Sequence, residues 1–186
     1  MQKILVFVTS NEGKFREAQH IISGFHLMQK SLNLPEMQGS PEDIVKEKAK
    51  VAYSLIKKPV FVDDVSLVFS AFKTIPGPYI KYFEDDIGPE NFHRLLIDFP
   101  DKSAIASVFI GYHDTEQVHV FHGSVQGKIV PPRGKNGFGF DSVFLPDGCS
   151  KTYGEMTREE KDMMSHRRKA LDALYHFLME KKEGSK

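Results

Sequence analysis

The sequence predicts an α/β fold with a mixed β-sheet flanked by helices, on three observations. An apolar run at residues 4–8 leads through a polar turn into a helical repeat. A second helix, with its own start signal, leads into another apolar run at residues 60–62. Two long stretches of strand character, residues 104–113 and 117–130, adjoin at a turn near Asp114. Successive βα units favour parallel pairing, whereas a hairpin forces antiparallel pairing, so both kinds are expected in one sheet.

Residues 4–8 are uniformly apolar, as a strand buried on both faces requires. Thr9-Ser10-Asn11-Glu12-Gly13-Lys14 forms the turn, and Phe15, Ala18, Ile21 and Ile22 then recur at helical spacing up to a stop at Gly24. Ser40-Pro41-Glu42-Asp43 is a helix start, with serine as N-cap, proline in the first turn and acids facing the dipole. Ile44, Val45, Ala49, Ala52, Leu55 and Ile56 give that helix its buried face. The strand at 60–62 is expected to end at Asp63-Asp64. Pro76-Gly77-Pro78 fixes a bend, after which Tyr79, Tyr82 and Phe83 read as core packing. Glu84-Asp85-Asp86 reads as a solvated acidic run ahead of a helix opened by Gly88-Pro89-Glu90, with Phe92, Leu95, Leu96 and Phe99 on one face. A last helix is expected to run to about residue 179, with Thr157 and Glu160 at capping-box spacing and Leu171, Leu174 and Leu178 as its seam.

No linker, repeat or low-complexity tract interrupts the chain, so residues 1–186 read as one domain, with a cleft expected between two lobes. The 186 residues are 40% hydrophobic and 27% charged, the composition of a chain with a substantial core. Lysine plus arginine and aspartate plus glutamate number 25 each. Such a balance provides no basic field for a nucleic-acid polymer or an acidic membrane, so any anion site is local. Cys149 is the only cysteine, which excludes an intrachain disulfide and a cysteine zinc cage, and points to a reducing, cytoplasmic setting. Residues 1–9 are too short an apolar start for a signal peptide, and no run is long enough to cross a bilayer.

Four constellations carry the chemistry. Thr9-x-Asn11-x-x-Lys14 places donors and a cation at a strand-to-helix turn, where phosphate is attracted. It lacks the second glycine and the Lys-Ser/Thr pair of a Walker A loop, and Asn11 capping the helix beside a solvated Lys14 is the competing reading. Asp63-Asp64 at a strand end, joined by Glu36, suits Mg²⁺ or a positioned water; the competing reading is a solvated acidic turn. Lys81, after the bend, either points into a cleft or belongs to a structural loop. The densest signal lies in residues 131–171, with Arg133-Gly134, Phe138-Gly139-Phe140-Asp141, Lys161 and Ser165-His166-Arg167. Glycines for close approach, rings for stacking and cations for negative charge together suggest a nucleotide.

These constellations, in this order, resemble the inosine triphosphate pyrophosphatase family (Ham1-like, non-standard purine NTP pyrophosphatases). The resemblance rests on Thr9-Ser-Asn11-x-x-Lys14, Leu34-Pro-Glu36-x-Gln-Gly39, Asp63-Asp64-x-Ser66-Leu, Pro76-Gly-Pro-Tyr-Ile-Lys81, Pro-Arg133-Gly, Phe138-Gly139-Phe140-Asp141 and Glu155-Met-x-x-x-Glu160-Lys161-x-x-x-Ser165-His166-Arg167. It implies an elongated two-lobed fold, a homodimer, and Mg²⁺-dependent hydrolysis of ITP, dITP and XTP to the monophosphate and pyrophosphate. By the same resemblance, Thr9, Ser10, Asn11, Lys14, Lys48 and Lys81 would bind the substrate. Glu36, Asp64 and Asp63 would serve the metal, with Asp64 and Lys14 as the catalytic pair. Phe138, Gly139, Phe140, Asp141, Lys161, Ser165, His166 and Arg167 would form the base pocket. The chain departs from the family at four places. Asp63 stands where many members carry Glu, Phe140 where Tyr or Trp is usual, Ser142 for the usual Pro, and Asp162 for a common Asn. A pyrophosphatase for modified pyrimidine nucleotides and a non-catalytic nucleotide-binding protein are the other two readings.

Overall fold

The computed structural model describes residues 4–183, so the first three residues of the 1–9 reading and the last three of the single-domain reading lie outside it. β1 (Ile4–Val8) and α1 (Glu12–Ile21) form the expected opening unit. β2 (His26–Lys30) follows, and α2 (Pro41–Ile56) begins where the Ser40 signal placed it, with the serine oxygen accepting the Asp43 N–H. β3 (Val60–Phe69), β4 (Pro76–Gly77), α3 (Ile80–Ile87) and α4 (Phe92–Leu95) come next. The hairpin is β5 (Ser103–His113) and β6 (Val118–Ile129), and β7 (Phe144–Pro146), α5 (Arg158–Asp162) and α6 (His166–Glu183) complete the chain. No helix among the described residues is long and apolar enough to cross a membrane.

The seven strands form one sheet in the order β2-β1-β3-β5-β6-β7, with β4 on β3. β1 pairs in parallel with both β2 and β3, while β3–β4 and β6–β7 are antiparallel. The sheet is mixed, as the βα units and the hairpin required.

Four elements differ from expectation. β3 does not stop at Asp63-Asp64 but continues to Phe69, because Val65, Leu67 and Val68 carry on the strand and the acids find cationic partners. Glu84-Asp85-Asp86 is helical, within α3. The helix expected from Gly88 is a 3₁₀ turn at Pro89–Asn91 followed by the single turn of α4; Phe92 and Leu96 are buried, whereas Phe99 is exposed. The last helix is broken in two. Thr157 and Glu160 do form the reciprocal capping box, but it starts the short α5, and α6 begins anew at His166.

The chain divides into two compact units: the described parts of Met1–Asp64, Val108–Gly123 and Arg167–Lys186, and Val65–Ser107 with Ser124–His166. In the first unit the buried face of α2 (Val45, Ala49, Ala52) packs with Val6, Val8, Val60 and Val62. Gly111 on β5 permits that approach, since a Cβ there would lie 2.3 Å from the Val45 carbonyl oxygen. In the second unit Leu67, Phe69, Phe92, Leu96, Phe144 and Tyr153 head the core.

Candidate active site

The candidate residues form two clusters, one in each unit. In the first, Asp63 and Asp64 are consecutive on β3, and consecutive residues of a strand face opposite sides. Their partners divide accordingly. Asp63 receives Lys14 Nζ on Oδ1 at 3.1 Å and both Arg167 Nε and Nη2 on Oδ2 at 3.2 Å. Arg167 Nη1 also reaches Glu17 Oε2 at 2.6 Å, and both the Asp63 and Arg167 side chains are 3% exposed. Asp64 instead receives Lys48 Nζ at 2.7 Å, and the same ammonium is 2.8 Å from Glu36 Oε2. The adjacent acids are therefore separately neutralised and do not form one two-carboxylate clamp. Asp63 thus groups with Lys14, Arg167 and Glu17, and Asp64 with Lys48 and Glu36.

The electrostatics follow the geometry. Burial pushes the Asp63 carboxyl up, but Lys14 and Arg167 outweigh it and hold the group below the usual carboxylate range. Burial also pushes Asp64 up and prevails there over Lys48, so its carboxyl lies above the ordinary value. Burial lowers Lys48, yet Asp64 and Glu36 more than compensate, and its ammonium is held more tightly than a free lysine's. Arg167 is likewise raised against burial by Glu17 and Asp63.

The polar turn before α1 completes this cluster. Asn11 is the N-cap of α1 and accepts the Lys14 N–H at 3.0 Å, while Thr9 Oγ1 accepts the Asn11 N–H at 3.1 Å. The capping reading of Asn11 holds, but Lys14 is on Asp63 and not merely solvated. Ser10 is exposed at the same turn. Sequence reasoning missed Glu17. Its signal was its spacing, one helical turn beyond Lys14 and thus on the same face of α1.

The second cluster centres on the 3₁₀ turn Gly139–Ser142. Asp141 Oδ2 accepts the Phe138 N–H at 2.8 Å and Lys161 Nζ at 2.7 Å. Gly137 has φ +77°, and a Cβ there would come within 2.0 Å of that same oxygen, so glycine is required where the loop closes over Asp141. The Lys161 ammonium lies 4.8 Å from the centre of the Phe138 ring and 5.5 Å from that of Tyr153. The Phe140 ring is buried, 6.0 Å from that of His166. Ser165, His166 and Lys161 are buried as well. Phe138 is the less buried of the two rings. Tyr153 is the member that the sequence did not reveal, being hidden between Thr152 and Gly154 without a motif of its own. Lys81 is exposed on α3.

The first unit thus holds cations beside buried carboxylates, and the second holds a cation on an aromatic turn, within a mixed α/β fold. The chain belongs to the Ham1 family, whose model matches residues 5–177. The inosine triphosphate pyrophosphatase of Yarrowia lipolytica is 46% identical over 186 residues, covering 98% of this chain and 99% of the relative. That of Schizosaccharomyces pombe is 40% identical over 185 residues, covering 98% of each. Among solved structures, the Staphylococcus aureus Ham1 protein superposes with a TM-score of 0.83 at 28% identity, covering 99% of this chain and all (100%) of that one. A HAM1 protein from Coxiella burnetii gives 0.85 at 25% identity, covering 96% and 100%. The nucleoside-triphosphatase / dITP/XTP pyrophosphatase of Mycobacterium abscessus gives 0.71 at 30%, covering 92% and 98%.

Proposed function

We propose that the chain hydrolyses non-standard purine nucleoside triphosphates (ITP, dITP and XTP) to the nucleoside monophosphate and pyrophosphate, cleansing the nucleotide pool. The observation that carries this reading is the acid pair of β3, each member held by its own lysine, in a chain whose relatives are named inosine triphosphate pyrophosphatases. Water must reach a phosphorus ringed by negative oxygens, so the site needs cations on the phosphates and a carboxylate on the water. Lys14 and Lys48 supply the cations, and Thr9, Ser10 and Asn11 supply polar groups at the turn. Asp64 orients the water and takes its proton on a carboxylate oxygen.

Mg²⁺ fits the residues present. Among the described residues no group of three His, Cys, Asp or Glu side chains gathers to hold a metal. Magnesium, however, is commonly held by one or two carboxylates, with waters and substrate phosphates completing its shell. The Lys48 ammonium already bridges Glu36 and Asp64, so a cation is favoured between those oxygens. Glu36 and Asp64 would hold the ion, which neutralises charge on the triphosphate. Asp63, fixed on Lys14 and Arg167, keeps Lys14 in place.

In the second unit, Phe138 offers a stacking face, and Lys161, Ser165 and His166 offer donors to a 6-keto group. Adenine would present an amino group to those donors, and such a mismatch rejects a substrate by orders of magnitude. Gly139, Phe140 and Asp141 shape the turn, and Lys81 contributes a cation from α3. A homodimer, a single functional domain and a cytoplasmic setting complete the reading, supported by the family resemblance and the single cysteine. With ITP and Mg²⁺ the products are expected to be IMP and pyrophosphate in equal amounts, and chelation with EDTA is expected to stop the reaction. Formation of IDP and phosphate would refute it.

A further inference from the structure

Lys48 is shared by two carboxylates that reach it from different parts of the first unit. Glu36 lies in the segment between β2 and α2 with its side chain 58% exposed, and Asp64 lies on β3 with 16% exposed. The lysine's base is fixed, since Val45 and Ala49 beside it are buried in the α2 core. Its outer methylenes remain rotatable, as lysine stems are. A divalent ion drawn to these two carboxylates would meet the Lys48 ammonium already between them, and like charges at that distance repel.

We infer that Lys48 is an exchangeable cation: it holds Glu36 and Asp64 until a divalent ion takes their oxygens, then turns its ammonium to the triphosphate. The inference rests on the metal assignment above and adds a consequence to it. Lysine between two carboxylates leaves one net negative charge. A divalent ion neutralises both carboxylates and releases the lysine's charge for phosphate. Metal arriving alone displaces Lys48 from two good partners and gives it none. Metal arriving with a triphosphate gives it a new one. Metal and triphosphate therefore bind cooperatively, and linkage makes that coupling reciprocal. Lys14 has no such part, because its partner Asp63 is not one of the two carboxylates assigned to the ion.

The test is Mn²⁺ titration of the full chain without nucleotide, followed by electron paramagnetic resonance, with circular dichroism to verify folding. Lys48→Gln and Lys48→Met are expected to bind Mn²⁺ about tenfold more tightly than the parent, within the usual range for coupled sites. Lys48→Arg, which keeps the exchangeable charge, is expected to stay as weak as the parent. Lys14→Gln, which removes an equal charge from the neighbouring acid, is expected to change affinity far less. The inference is overturned if neither Lys48→Gln nor Lys48→Met binds more tightly, or if Lys14→Gln tightens binding as much as they do. Failure of the underlying metal assignment has its own signature. Adding Glu36→Gln to Lys48→Gln would then leave Mn²⁺ affinity unchanged, whereas the account expects a clear loss.

Discussion

Asp64→Asn is expected to lower kcat for ITP by about a thousandfold while leaving the fold intact. The asparagine is nearly the same size, so β3 and its packing are undisturbed. It cannot take a proton from water, and it loses the negative charge that a divalent ion needs. Base catalysis alone is commonly worth about 10²–10⁴ in rate, and a lost electrostatic contact adds to that. The variant also leaves Lys48 paired with Glu36, so its ammonium is not stranded in the interior. Steady-state kinetics together with circular dichroism separate the outcomes. A folded Asp64→Asn with parental kcat would remove Asp64 from the chemistry.

Arg167→Met has the other large effect, on stability. Arg167 neutralises Asp63 and Glu17 together, at 3.2 and 2.6 Å, with its side chain 3% exposed. Methionine fills much of the volume but strands carboxylate charge in a buried place. Breaking a buried pair from one side typically costs about 3–5 kcal/mol, and Lys14 retains part of Asp63. Urea unfolding at neutral pH should show a loss in this range. The pH dependence gives a second readout. The Asp63 carboxyl is depressed in the folded protein, because Lys14 and Arg167 outweigh its burial. Its contribution to stability is therefore present above the ordinary carboxylate range and lost as pH falls through the depressed folded value. The variant should lose part of that acid sensitivity. An Arg167→Met protein as stable as the parent at neutral pH would mean that the triad is not a buried charge network.

What the sequence revealed depended on whether the signal was local. Ser40-Pro41-Glu42-Asp43 located α2, and Thr157 with Glu160 located a capping box, because caps involve residues a few positions apart. β2 and β7 escaped notice. His26–Lys30 has no polar/apolar alternation and no β-branched residue, and Phe144–Pro146 is three residues long, so only their sheet neighbours make them strands. The site shows the same division. Asp63, Asp64, Lys14 and Lys48 were all identifiable as residues, but their pairing was not. That pairing depends on β3 continuing through the acids, which in turn depends on cations from α1, α2 and α6. Phe140 illustrates the converse: its motif suggested a ring for stacking, whereas in the structure it belongs to the core and Phe138 is the less buried ring.

The most direct test of the central claim is pyrophosphate release with Mg²⁺ across ITP, dITP, XTP, ATP, GTP, CTP and dTTP, compared as kcat/KM. The account predicts that ITP, dITP and XTP exceed ATP and the pyrimidine nucleotides by orders of magnitude, since hypoxanthine and xanthine, like guanine, present a purine 6-keto group to Lys161, Ser165 and His166 and adenine and the pyrimidines do not. A flat profile across all seven would contradict the assignment of those residues to base recognition.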